Sequence, residues 1–120
     1  MINKLYRLIF LLPLLAAFGV HAAGAIAVDD EAGTSVRDVG YGIGFGKSRE
    51  AAAQNALRQC RASGNENCKV KVRFDNCGAY AASANYYGVG NGTTIERAEN
   101  MAIEECGRSS CRVVISECDD

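Results

Sequence analysis

The stretch YGIGFGKSREAAAQNALRQC spans residues 41–60, and its pattern returns at residues 87–106 as YGVGNGTTIERAENMAIEEC. The two copies align without a gap at a constant offset of 46 residues, because Tyr87 corresponds to Tyr41. The shared positions are Tyr41/Tyr87, Gly42/Gly88, Gly44/Gly90, Gly46/Gly92, Glu50/Glu96, Ala52/Ala98, Ala56/Ala102 and Cys60/Cys106. Each copy predicts a strand with a glycine face that another backbone approaches closely, followed by a helix that ends at a cysteine.

The start and the buried face of each helix follow from its residues. Ser48 is the expected N-cap of the first helix, and Thr93 followed by Glu96 is a capping-box pattern for the second. Small residues recur at helical spacing and predict a narrow face that packs closely on a sheet. These stripes are Ala52, Ala56 and Cys60 in the first helix, and Ile95, Ala98, Ala102 and Cys106 in the second.

Further strands are expected on both sides of the repeated stretch. GAIAV at residues 24–28 and GAYAAS at residues 78–83 open the two copies, and residues 68–74 and 111–118 close them. In the strand at 68–74, strict alternation predicts that Cys68, Val70, Val72 and Phe74 face inward and Lys69, Lys71 and Arg73 outward. The order ββαβ, twice, predicts an α+β fold with a mostly antiparallel sheet and two helices. Two pseudo-symmetric repeats, at about residues 24–77 and 78–118, are expected to share one core.

Residues 1–22 have the pattern of a secretory signal peptide. Lys4 and Arg7 precede an apolar run at residues 8–17, and small residues follow at positions 20–22. Removal of this segment leaves residues 23–120 as one small domain without His, Pro or Trp, and with 11 basic and 14 acidic side chains, a formal charge of −3. We therefore expect a periplasmic or secreted protein with no membrane span once the signal is removed, and no nucleic acid partner.

Six cysteines lie after the predicted signal peptide, which indicates three disulfides in an oxidising compartment. The repeat favours Cys60–Cys68 and Cys106–Cys111, because each pair would join a helix end to the following strand. Cys77–Cys118 is then the third pair. Pairing across the repeats, such as Cys60–Cys106, is the alternative among the fifteen possible connectivities.

Together with CKVKVRF at 68–74, NCGAYAAS at 76–83 and CRVVISEC at 111–118, the repeated stretches resemble a bacterial exported family, domain of unknown function 4189. The resemblance covers essentially the whole chain after residue 22. It implies an exported, cysteine-rich α+β domain, and it implies no activity.

No catalytic site, metal site or cofactor is predicted. A nucleophile would lack a histidine base after residue 22, and the cysteines lack the C-x-x-C spacing of zinc and redox sites. GFGKS lacks the first glycine of a phosphate loop, since Tyr41 stands at that position. Glu50 and Glu96 are the repeated acids, and their place in a helix first turn is a sufficient structural reason for them.

The candidate binding residues are the basic side chains Lys69, Lys71, Arg73 and Arg112, with Tyr86 as an aromatic contact. They predict a docking surface for an acidic partner or an anionic envelope polymer, although an ordinary solvated strand face has the same pattern. We therefore expect a non-enzymatic protein-binding module, of the inhibitor or immunity type, whose partner is another protein in the envelope or outside the cell. Two alternatives stay open: a carboxylate-dependent hydrolase of cell-wall glycan that uses Glu50 or Glu96, and a structural protein of the surface or matrix. The oligomeric state is not predicted.

Overall fold

The computed structural model describes residues 23–30 and 39–119. The predicted signal peptide, residues 1–22, lies outside the described residues. The elements are β1 (Ala23–Asp29), β2 (Gly40–Gly46), α1 (Arg49–Ala62), β3 (Lys69–Phe74), β4 (Cys77–Ala82), β5 (Tyr87–Gly92), α2 (Ile95–Cys106) and β6 (Arg112–Cys118).

The strands form two antiparallel sheets of three strands, one from each repeat. Sheet 1 has the order β2-β1-β3, and sheet 2 has the corresponding order β5-β4-β6. The central strands β1 and β4 are buried along their whole length. The predicted α+β fold is confirmed, and the structure adds that each ββαβ repeat builds its own sheet.

Successive residues of the two central strands face alternately toward a helix and toward the other sheet. Ala25 and Ala27 pack against α1, whereas Ala79 and Ala81 pack against α2. The intervening residues of β1 and β4 meet side chains of β3 between the sheets, in a cluster of buried side chains: Ile26, Val28, Val72, Phe74, Tyr80 and Ala82. The layers therefore run α1, sheet 1, sheet 2, α2, and one apolar layer joins the two halves.

Phe74 lies at the centre of the contact between the sheets and is 1% exposed. Its ring lies against Gly24 on β1 and Gly78 on β4, so that a Cβ at either glycine would overlap ring atoms. The Phe45 ring meets it edge-on at 6.3 Å between centroids. A side chain from the last strand of repeat 1 therefore contacts the first strand of repeat 2 directly.

Each helix lies close to its neighbouring edge strand because glycines face it. A Cβ on Gly90 would overlap the backbone oxygen of Ala98 and would lie 2.7 Å from the backbone nitrogen of Ala102. Gly44, its counterpart in repeat 1, faces the backbone of α1 equally closely. The alanine and cysteine stripes predicted for the helices are buried as expected.

The caps of the two helices differ in how well they follow the prediction. The Ser48 hydroxyl accepts a hydrogen bond from the Ala51 N–H at 3.1 Å, as an N-cap does. For α2 the N-cap is Thr94, so the capping box predicted to begin at Thr93 is wrong. Ile95 was expected in the buried stripe but is 40% exposed, because it begins α2 beyond the end of β5.

A β-bulge in β3 breaks the alternation expected for that strand. On β1, Ile26 pairs with Val72 but the next residue, Ala27, pairs with Val70, so Lys71 is the extra residue. Val70 consequently packs in the helix-side core, while Val72 stays between the sheets. The prediction that all the apolar side chains of this strand share one face is therefore wrong. The pairing of β6 with β4 shifts in the same way.

Three disulfides join Cys60 to Cys68, Cys106 to Cys111 and Cys77 to Cys118, and no described cysteine is free. The first two link the last turn of a helix to the residues at the start of the next strand, with Cα–Cα distances of 6.2 Å. The third joins register partners on β4 and β6. Three disulfides in a small domain fit an oxidising compartment.

Gly90→Ala is expected to destabilise the domain by about 2–3 kcal/mol, because the new methyl group meets helix backbone that has no room to shift. Gly92→Ala on the same strand and face is the matched control. Its Cβ would lie 2.9 Å from the Arg97 Cβ and 3.4 Å from the nearest helix backbone nitrogen, so we expect about 1 kcal/mol or less. Urea unfolding of both variants measures the difference, and equal losses would contradict the close helix–strand contact.

Removal of Cys77–Cys118 by double alanine substitution is expected to cost about 4 kcal/mol, against about 2 kcal/mol for Cys106–Cys111, because the closed loops differ in length. Their sequence separations are 41 and 5 residues. Urea unfolding of the two double variants tests the order, and a larger loss from the shorter loop would contradict it.

A non-reducing tryptic map checks the pairing itself: cleavage after Arg108 should leave the Cys106 and Cys111 peptides joined until reduction.

Candidate functional site

Aromatic and charged side chains gather where the edge strands β3 and β5 of the two sheets lie side by side. We call this group the tyrosine cluster, and it consists of Asp30, Lys71, Tyr80, Tyr86, Tyr87 and Arg108. Its members come from both repeats, so the cluster exists only when the two sheets are packed together.

The inner part of the cluster is a hydrogen-bonded and ionic contact between the repeats. Tyr80 is fully buried, and its hydroxyl donates to Asp30 Oδ2 at 3.0 Å. Lys71 Nζ lies 3.6 Å from the same carboxylate oxygen. Burial raises the pKa of the Tyr80 hydroxyl well above its ordinary value, and the charge of Asp30 and the hydrogen bond to it raise that pKa further. Tyr80 therefore acts as a neutral donor that fixes Asp30.

The outer part of the cluster is two half-exposed tyrosines, each in contact with a cation. The Tyr87 ring stacks on Tyr80 at 5.6 Å between centroids, and Lys71 Nζ lies 4.4 Å from the Tyr87 centroid. The Arg108 guanidinium carbon lies 3.9 Å from the Tyr86 centroid. Such cation–π contacts orient the rings, yet Tyr86 and Tyr87 remain 46% and 49% exposed.

Local features of the chain place the two cations. Lys71 is the extra residue of the β3 bulge, and the bulge turns its side chain toward β5. Arg108 follows Gly107, which ends α2 in the left-handed conformation with φ 76°. It also lies inside the short loop closed by Cys106–Cys111, which limits where its side chain can reach.

The five residues predicted to bind a partner do not form one surface. Lys71 and Tyr86 belong to the tyrosine cluster, and Lys69 is exposed at the same end of β3. Arg73 lies at the opposite end of β3, where it lines a separate cavity. Arg112 begins β6, at the other edge of sheet 2, and its guanidinium donates to backbone carbonyls of its own loop.

Asp30, Tyr80, Tyr87 and Arg108 are absent from the residues predicted to form the site. Tyr80 lies in a strand that is apolar throughout, so its sequence context indicates a core residue. Asp30 and Arg108 lie in segments whose spatial relation depends on how the sheets pack. The adjacent tyrosines 86 and 87 at the start of a strand are the one local signal of this surface.

Glu50 and Glu96 do not form a carboxylate pair. They occupy the first turns of α1 and α2, which lie on opposite outer faces of the two sheets. Packed sheets are about 10 Å apart and each helix adds a further layer, so the separation exceeds the roughly 5–9.5 Å of glycosidase carboxylates. Across residues 23–30 and 39–119, no group of three or more His, Cys, Asp or Glu side chains is arranged to hold a metal ion.

Within the described part of the chain, no helix combines the length and the apolar character needed to cross a membrane.

The fold and the cluster define a disulfide-stapled α+β domain made of two fused repeats with an aromatic and cationic surface. The chain belongs to the family described as Domain of unknown function (DUF4189), whose family model matches residues 23–118. No curated protein and no solved structure matches it.

The raised pKa of Tyr80 predicts a loss of stability in alkali. In the unfolded chain Tyr80 ionises near pH 10, whereas in the folded protein it stays protonated at that pH. The unfolded state then binds fewer protons, so the free energy of unfolding falls above about pH 10, by up to about 1.4 kcal/mol per pH unit from this group, and is unaffected by it below that pH.

Urea unfolding at pH 9, 10 and 11 tests this prediction. Tyr80→Phe should show a shallower decline than wild type, while Tyr41→Phe, which changes a tyrosine 40% exposed, should keep the wild-type slope. Parallel curves for wild type and Tyr80→Phe would show that the buried hydroxyl is not held neutral.

Proposed function

We propose that this chain is an exported, non-enzymatic module that binds another protein through the tyrosine cluster. The observation that supports the proposal most directly is the pair Tyr86 and Tyr87, half-exposed and each oriented by a cation.

The chemistry of this surface is that of interface hot spots. Tyrosine and arginine are enriched among the residues that contribute most to binding, because they combine large apolar area with polar groups. Tyr87 is stacked on buried Tyr80, and Arg108 lies in a disulfide-closed loop, so little side-chain freedom remains to be lost on binding. Arg108 favours a partner surface that carries a carboxylate, whereas the charge of Lys71 is offset by Asp30.

Export is part of the proposal. Residues 1–22 have the pattern of a signal peptide, and the three disulfides fit an oxidising compartment. The partner is then a protein of the periplasm, the envelope or the extracellular space, and the role is that of an inhibitor or immunity-type protein. A hydrolase that works through Glu50 and Glu96 as a pair has no support, because α1 and α2 hold them on opposite faces.

The test compares capture by three forms of the oxidised, tagged protein: wild type, Tyr86→Ala and Tyr41→Ala. Tyr41 is the matched control, since it is an exposed tyrosine of the other repeat at the position equivalent to Tyr87. We expect a stoichiometric protein from envelope or culture-fluid extracts to be retained by wild type and Tyr41→Ala. Its retention by Tyr86→Ala should be at least about tenfold lower, as expected for a hot-spot residue.

Two outcomes contradict the proposal. One is that no protein is retained by the wild type. The other is that Tyr86→Ala, shown by circular dichroism to be folded, retains the same protein as fully as Tyr41→Ala.

A further inference from the structure

A polar cavity of about 260 Å³ lies where β3 and β5 are side by side, at the end remote from the tyrosine cluster. Repeat 1 lines it with the first residue of α1 and the end of β3, and repeat 2 lines it with the end of β5 and the turn before α2. The cavity residue Asn91 lies four positions after Tyr87 on β5, roughly 13 Å along an extended strand. The cavity and the tyrosine cluster are therefore distinct sites on the same side of the molecule.

The cavity has one positive charge that no described side chain neutralises. Arg49 Nη2 lies 3.1 Å from Asp75 Oδ2, so these two charges offset each other. The Arg73 side chain makes no hydrogen bond or ion pair with any residue that the structure describes. Asp119 lies nearby in space, since its N–H donates to the Asn76 carbonyl at 2.7 Å, but it does not line the cavity.

The rest of the lining is suited to hydroxyl groups. The side-chain amides of Asn76 and Asn91 can each donate and accept hydrogen bonds, and the Thr93 hydroxyl can do both as well. Phe74 also lines the cavity, but its ring is 1% exposed and packs between the sheets. The volume is below the roughly 300–1,000 Å³ of pockets for drug-sized ligands, so it suits one small unit.

We propose that this cavity binds an acidic monosaccharide unit, with its carboxylate on Arg73 and its hydroxyls on the surrounding amide and hydroxyl groups. The planar fork of a guanidinium matches a carboxylate with two parallel hydrogen bonds, which a hydroxyl group alone cannot form. The site uses no residue of the tyrosine cluster, so this proposal can be tested independently of the protein-binding proposal.

The probe is sodium D-glucuronate, titrated at constant ionic strength into the ¹⁵N-labelled, oxidised exported protein. The amide resonances of Asn91, Gly92 and Thr93 should shift saturably, while D-glucose at the same concentrations should leave them in place. Absence of a saturable shift, or equal shifts with glucose, would overturn the proposal. If inorganic phosphate binds at the same amides as tightly as glucuronate, the cavity is a general anion site and the sugar assignment is wrong.

Charge variants test the assigned contacts in opposite directions. Arg73→Gln should weaken glucuronate binding at least about tenfold, because it removes the charged fork. Asp75→Asn should strengthen binding, because it releases Arg49 from its ion pair. Lys69→Gln, which removes the same charge from the other end of β3, is the matched control and should leave the affinity unchanged. Equal weakening by Arg73→Gln and Lys69→Gln would contradict a specific role for Arg73.

Discussion

The contact of the Phe74 ring with Gly24 and Gly78 is the interaction on which the rest of the structure depends. In each repeat the single helix covers only one face of the three-stranded sheet. Neither repeat has a second layer of its own to cover the other face. Phe74 fills the space between the two central strands, and side chains from both sheets close around it. Burial of this shared layer makes one domain of two short repeats.

On the helix side of each sheet, small residues again allow close packing. Glycine on the edge strand and alanine on the helix bring two backbones close together, which leaves room for no larger residue at positions such as 90 and 98. The C-terminal ends of both helices are tied by disulfides to the residues before the next strand. In repeat 2 this arrangement holds the loop of Arg108 beside Tyr86 and so orients one of the two outer tyrosines of the cluster.

The repeat at residues 41–60 and 87–106 was enough to predict the order of the elements, the α+β class and the buried alanine stripes. The repeat could not predict the bulge at Lys71. A one-residue shift in register depends on the partner strand and does not change the local alternation of apolar and polar residues. The stack of Tyr87 on Tyr80 and the cavity around Arg73 both require knowledge of how the sheets face each other. The sequence therefore indicated which kinds of residue could bind a partner, but not which of them come together in space.

The central claim is that the two repeats form one cooperative core, and native-state hydrogen exchange in increasing urea tests it most directly. The amides of β1 and β4, the central strand of each sheet, should exchange with the same free energy of opening and the same dependence on urea, because both require global unfolding. If the amides of one strand exchange at a free energy lower by more than about 1 kcal/mol, with a smaller dependence on urea, the repeats unfold separately. The contact through Phe74 would then not be what unites them.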